Sequence, residues 1–195
     1  MAKRIFVLNG HPGQSSLTGS LADAYEEAAR SAGHEVRNAH VGSLKFDPDF
    51  GEGSYRHIKA LEPDLQSVAD AITWAEHIVV LSPLWWGGAP ALTKGLIDRV
   101  LVPGFAMDPR QRRMGFPRPL LTGRTARLIV LSDTPDFYYR LVYGRNFVRA
   151  MRHQVFGFAG ITPMKATHFA MASKAPEAQV RRWMDVTRAL GARAG

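Results

Sequence analysis

Three short stretches carry residues with chemistry to offer. The first is NGHPGQSSLT, residues 9–18, which brings the His11 ring and the hydroxyls of Ser15, Ser16 and Thr18 together. Hydroxyls just ahead of a helix make an anion seat, because the helix start offers free N–H groups and the positive end of its dipole. N-capping by one of these hydroxyls would explain the same residues, and the two readings are compatible. The second stretch is PLWWGG, residues 83–88. Gly87 and Gly88 let a backbone approach a flat ligand, and Trp85 and Trp86 set rigid apolar surface beside it. The plain alternative is two core tryptophans and a glycine turn. The third is SDTPDFYY, residues 132–139, where Asp133 and Thr134 precede Tyr138 and Tyr139. A tyrosine hydroxyl there could donate a hydrogen bond or a proton to a bound molecule. Equally, it could pack half-buried with its hydroxyl in water.

Other chemistries find little support. The chain has no cysteine, which removes disulfides, thiolate nucleophiles and zinc–thiolate sites and fits a cytoplasmic protein. His11 has no second ligand at metal spacing and HExxH is absent, so no metal is expected. The acidic residues of 42–63 lack calcium-loop spacing. Ser82 precedes a proline and no GxSxG elbow occurs, which disfavours a Ser-His-Asp hydrolase. Neither GxGxxG nor GxxxxGK[ST] is present. The net charge of +8 raises nucleic acid as a partner. However, the basic residues are scattered, and the densest run, Arg110 to Arg127, is broken by prolines and glycines like a solvated loop. Attraction of an anionic dinucleotide is the more economical use of that charge.

The elements that must position these stretches follow from the apolar pattern. With 46% hydrophobic and 22% charged residues, 195 residues suit one globular domain spanning 1–195. No apolar run approaches membrane-spanning length, and no signal peptide is expected. RIFVLN (4–9), IVVL (78–81) and TARLIVL (125–131) read as strands buried on both faces. Residues 35–41 read as a less apolar edge strand and 165–171 as a short fifth strand. Helical spacing follows at Leu21, Ala24, Tyr25 and Ala28, at 64–74, from Pro90 to Leu101, at 146–158, and at 176–190. Residues 42–63 read as a loop long enough to be functional or mobile. Strands and helices alternating five times predict a three-layer α/β fold with a parallel sheet. In the flavodoxin-like order 2-1-3-4-5, the first, third and fourth strands are neighbours, and their loops converge at the switch point.

The sequence resembles the flavodoxin-like NAD(P)H:quinone oxidoreductase family over nearly its whole length. NGHPGQSSLTGSLA is similar to that family's histidine-containing phosphate loop. PLWWGGAPALTKGLIDRVLVPGFA resembles its most specific signature, and FGFAGITPM its entry to the last strand. The resemblance implies a bound flavin, FAD with FMN as the alternative, reduced by NADPH or NADH and reoxidised by a quinone or similar acceptor. It also implies a homodimer. By position, His11, Ser15, Leu17 and Thr18 would hold the flavin phosphates, with Ser16 as a further donor. Pro83, Leu84, Trp85, Trp86 and Gly87 would line the ring system, largely through backbone amides. Asp133, Thr134 and either Tyr138 or Tyr139 would meet its other edge, with a tyrosine as the catalytic proton donor. Where quinone reductases often carry Thr-Thr-Gly-Gly, this chain has Asp133-Thr134-Pro135-Asp136, and Pro135 has no N–H to donate. The rival readings are a flavin-binding ancillary subunit with little turnover of its own, and a flavodoxin-type electron carrier.

Overall fold

The three apolar runs form the centre of a sheet. In the computed structural model, which describes residues 1–195 except Glu52 and Arg56, β1 (Arg4–Asn9) exposes only Arg4. Glu52, one of the acidic residues of the 42–63 loop, thus lies outside the described residues. β3 (His77–Pro83) is buried at every position, and β6 (Thr125–Ser132) at all but its first. β2 (Glu35–His40) and β7 (Met164–Ala170) flank them as edges, with alternating or mixed burial. The order is β2-β1-β3-β6-β7 and every pairing is parallel. β4 (Met107–Arg113) and β5 (Phe116–Pro119) lie outside this sheet, so its order is the expected 2-1-3-4-5. The carboxyl ends of β1, β3 and β6 therefore lie side by side.

Period-two alternation divides the apolar side chains between two faces. Ile5, Val7, Val79, Leu81, Ile129 and Leu131 point towards α1 (Leu17–Ser31) and α7 (Glu177–Arg193). Gly191 permits the contact between these helices, since a Cβ there would lie 2.3 Å from the Tyr25 carbonyl oxygen. Phe6, Leu8, Ile78, Val80, Leu128 and Val130 face α2 (Pro63–Trp74), α3 (Ala91–Val100) and the segment after Asn146. That segment begins as α5 (Asn146–Ala150), widens into a π-helical stretch at Met151–Phe156, and closes with α6 (Gly157–Ala159). None of the described helices is long and apolar enough to cross a membrane.

Three local features differ from the sequence expectation. The arginine-rich stretch is not a plain loop: β4 (Met107–Arg113) and β5 (Phe116–Pro119) pair antiparallel as a two-stranded arm. Residues after Pro135 form a short helix, α4 (Asp136–Leu141), ahead of the basic one. The loop ahead of α2 is strapped to α3. Arg99, only 1% exposed, donates to the carbonyls of Asp47 and Ala60 and pairs with Glu62 at 2.9 Å. Pro48 packs so close to Gly95 that a Cβ there would lie 2.5 Å from the proline ring.

Glu26 makes stability depend on pH. It is buried on α1, and Asn38 Nδ2 donates to its carboxylate at 2.6 Å. Burial pushes its pKa up to about 7, outweighing the opposing pull of Asn38 and Arg30. A raised carboxylate pKa means a contribution fully present below about 4.5, the unfolded value, and lost as pH rises through about 7. Glu26→Gln mimics the protonated carboxyl. Thermal or urea unfolding from pH 5 to pH 8 should show the wild type losing on the order of 2–3 kcal/mol relative to this variant. Parallel pH profiles for the two proteins would contradict this account.

Candidate functional site

The first loop is fixed before any ligand arrives. Where β1 ends, Gly10 N–H donates to the Leu81 carbonyl at 2.8 Å, and the buried Thr93 hydroxyl donates to the Gly10 carbonyl at 2.6 Å. Asn9, 2% exposed, accepts from His11 N–H through Oδ1, while its Nδ2 lies 2.9 Å from His40 Nδ1. His11 Nδ1 accepts from Gly13 N–H at 2.9 Å, which puts the proton of the neutral ring on Nε2. The His11 ring meets Trp85 edge to face at 5.7 Å. Ser16 is the N-cap of α1 and accepts from Gly19 N–H at 3.0 Å. Its hydroxyl oxygen thus does the capping that the sequence left open. The amides of Leu17 and Thr18 open the helix and have no intrahelical acceptor.

The second loop is a two-residue hairpin. Trp85 and Gly88 exchange both backbone bonds, at 2.9 and 3.0 Å. Trp86 and Gly87 sit between them with φ of 48° and 82°. Positive φ at both central residues is the type I′ geometry, in which glycine is at ease and tryptophan is strained. This corrects the amide assignment from sequence: Leu84 N–H is spent on the Leu131 carbonyl and Trp85 N–H on Gly88. The amides of Trp86 and Gly87 have no acceptor among the described residues. Asn146 Nδ2 donates to the Gly87 carbonyl and ties the hairpin to α5. Neither indole is core filler, since Trp85 is 46% exposed and Trp86 fully so.

The third loop carries a chain of contacts that the sequence did not reveal. Ser132 Oγ lies 2.8 Å from His168 Nε2, and His168 Nδ1 lies 2.9 Å from Asp136 Oδ1. His168 holds the Asp136 carboxyl below the usual range by hydrogen bonding to it. Asp133 accepts from Ser173 N–H at 2.7 Å, and that bond likewise lowers its pKa. The two tyrosines part company. Tyr138 is partly exposed and meets Tyr143 edge to face, whereas Tyr139 is fully buried against the His168 ring, 4.6 Å between centroids. Its hydroxyl accepts from Val148 N–H. Tyr139 is therefore a packing residue, and the proton-donor role expected for it is withdrawn.

The loops enclose a cleft of about 260 Å³ at the carboxyl edge of the sheet. Of the residues singled out from sequence, His11, Ser16, Leu17, Thr18, Pro83, Leu84, Trp85 and Asp133 line it. Ser15, Trp86, Gly87, Thr134 and Tyr138 stand outside its lining. Ser132, Ala172 and Ser173 line it without having been foreseen. Ser173 belongs to the turn after β7, whose approach to Asp133 could be anticipated only from the strand order. Elsewhere, Asp23, Glu26 and His40 bring ligand-type atoms within 4.8 Å of one another, but Glu26 and His40 are already engaged by Asn38 and Asn9.

With this geometry in place, comparisons with known proteins are informative. The chain matches the family described as having a flavodoxin-like fold over residues 3–188. It is 30% identical over 109 residues to YcaK, an uncharacterised NAD(P)H oxidoreductase of Escherichia coli. That match covers 54% of this chain and 56% of the relative, so the chain spans little more than half its length. It is 27% identical over 185 residues to the ribosyldihydronicotinamide dehydrogenase (quinone) of Mus musculus, covering 81% of this chain and 77% of that one. A putative quinone reductase from Klebsiella pneumoniae superposes with a TM-score of 0.84 at 19% identity, over 97% of this chain and 83% of the other. That likeness concerns the fold alone.

Thr93 offers a test of how firmly the first loop is held. Thr93→Val keeps the shape and removes the donor, leaving the Gly10 carbonyl without its side-chain partner. Urea unfolding should show a loss of about 1–3 kcal/mol, the cost of an unsatisfied buried group. An unchanged midpoint would mean the bond does not hold the loop.

Proposed function

Because this chain belongs to the flavodoxin-like family, we propose that it is a single-domain flavoenzyme. It would pass a hydride from NADPH or NADH, through a flavin held in the cleft, to a quinone or similar acceptor. The observation that carries this reading is the convergence of the β1, β3 and β6 loops on one cleft with a polar and an aromatic end. The donor set suits a flavin. His11, Leu17 and Thr18 line the cleft, and the first-turn amides of Leu17 and Thr18, the Thr18 hydroxyl and His11 Nε2 would serve as phosphate donors. Trp85 and Leu84 provide apolar wall. The unspent amides of Trp86 and Gly87, beside the cleft and not in its lining, would be donors for a polar ring edge that extends past Trp85. FAD is favoured slightly over FMN, on the resemblance of residues 9–18 to dinucleotide-binding relatives.

A flavin bound here would supply two-electron hydride chemistry, with the protein supplying orientation and electrostatics. Trp86 and Gly87 N–H groups, fixed by the hairpin, would stabilise negative charge without reorganising. Tyr138, exposed outside the lining of the cleft, is the remaining candidate to hydrogen-bond an acceptor. Trp86, Phe137, Leu141 and Val142 are exposed apolar side chains on the hairpin and α4 segments next to the site. Surfaces of this kind mark association, which supports a homodimer.

Two measurements test the proposal. The purified protein should show a flavin visible spectrum, with FAD or FMN identified by the mass of the released cofactor. Thr18→Val should weaken its binding by about 1.5–3 kcal/mol, as expected for a bond to a charged group. A colourless protein that takes up neither flavin in titration would sink the reading. Steady-state kinetics provide the second check. Nicotinamide and acceptor need the same opening between Trp85 and Asp133, so one must leave before the other enters. Double-reciprocal plots at several acceptor concentrations should give parallel lines; intersecting lines would show simultaneous binding and exclude a shared opening.

A further inference from the structure

A second cavity, of about 350 Å³, lies on the other side of the 132–136 turn from the cleft. Arg145, Arg149 and Arg152 line it: Arg145 caps the helix that carries Arg149, and Arg152 follows three residues on. Its floor includes His168 and Tyr139. Among the described residues none of these three guanidiniums has a hydrogen-bond acceptor or an ion-pair partner. The cavity's one carboxylate, Asp136, is already engaged by His168 at 2.9 Å and Arg140 at 3.8 Å. Three cations thus line an opening whose one carboxylate, Asp136, feels Arg145 electrostatically but makes its close contacts to His168 and Arg140.

The backbone is shaped to produce this arrangement. Gly144 and Arg145 are both left-handed, with φ of 58° and 52°. Arg145 is held in a conformation that costs a non-glycine residue energy, and it lines the cavity beside Gly144. Arg149 reaches back over the same turn, its Nη1 lying 3.7 Å from where a Gly144 Cβ would be.

The geometry points to a phosphate-monoester subsite. We propose that this cavity binds the 2′-phosphate of NADPH and so selects NADPH over NADH. This rests on the redox reading above for the nicotinamide end. A phosphate monoester carries close to two charges and accepts the paired N–H bonds that guanidinium groups offer. The position fits as well: Ser132 lines the cleft while its partner His168 lines this cavity, so only the 132–136 turn separates them. A dinucleotide whose nicotinamide enters the cleft has to cross only that turn.

The test is calorimetric titration with 2′,5′-ADP, 5′-AMP and inorganic phosphate on the whole chain. The wild type should bind 2′,5′-ADP at least about tenfold more tightly than 5′-AMP, the effect of one charge-assisted bond. Arg149→Gln combined with Arg152→Gln should abolish that preference, and the paired lysine substitutions should restore part of it. Arg181→Gln with Arg188→Gln, which removes equal charge on α7, should leave the preference intact. In turnover, the NADPH-to-NADH ratio of kcat/KM should fall about tenfold in the Arg149/Arg152 glutamine variant. Equal binding of 2′,5′-ADP and 5′-AMP by the wild type would overturn the assignment. So would inorganic phosphate binding as tightly as 2′,5′-ADP, which would make this a free-phosphate site. A protein that binds no flavin but keeps the discrimination would sink the redox reading and leave this subsite standing.

Discussion

The backbone of Gly10 is the joint on which the site depends. Its amide is bound to β3 through Leu81 and its carbonyl to α3 through Thr93, so one residue ties together the first strand, the third strand and the helix that follows it. A Cβ at this position would lie 3.0 Å from the Leu81 oxygen and 3.1 Å from Thr93, closer than either neighbour tolerates without shifting. Parallel strands need no such bond to pair, but their loops do need one to meet. Without it the chain could leave β1 in several directions. With it, His11 is delivered to the edge of Trp85, and the α1 N-terminus points into the same cleft. Asn9 extends the constraint sideways, since its amide links His11 N–H to His40 at the end of β2.

Much of this was legible because burial on both faces leaves a strong trace. β1, β3 and β6 stand out as continuous apolar runs, and once they are ordered as neighbours their loops must converge. His11, Thr18, Trp85 and Asp133 could therefore be grouped from the sequence. The rest was hidden for identifiable reasons. β4 and β5 contain Pro109, Pro117 and Pro119 among arginines, with no alternation of apolar residues to betray a hairpin. Tyr138 and Tyr139 are adjacent on a helix, about 100° apart around its axis, so they point in different directions. Which one turns inward depends on where α4 starts, and Pro135 as its N-cap sets that phase. Ser132 and His168 are 36 residues apart and meet only because β6 and β7 pair with Val130 opposite His168. Arg99 reads as one more helix cation, yet it is buried and strapped to three groups of the preceding loop.

Charge shows the same division between what adds up and what is local. The excess of cations in composition is diffuse, and many of the ion pairs among the described residues are i,i+3 or i,i+4 pairs on exposed faces, such as Lys94–Asp98 and Arg181–Glu177. Pairs of that sort contribute at most about 1 kcal/mol, and salt screens them within roughly 8 Å. Net charge therefore draws anions toward the molecule without deciding where they stop. Specific placement comes from groups whose partners are fixed or missing: the Arg145, Arg149 and Arg152 guanidiniums without acceptors among the described residues, and the α1 amides without carbonyls.

Within the cleft the same logic gives a direction. One end carries the positive dipole terminus of α1 and the Nε2–H edge of His11. The opposite wall carries Asp133, held ionised by the Ser173 amide. An anionic group placed near Asp133 would be repelled by a carboxylate that cannot readily take up a proton. The same group near Leu17 and Thr18 meets amides that have no other acceptor. Between the two lie Leu84 and Trp85, which favour a flat apolar body and offer it no competing charge. The cleft therefore orients any ligand that is anionic at one end and planar at the other. That polarity follows from three backbone facts: where α1 begins, which amide binds His11 Nδ1 and which amide caps Asp133.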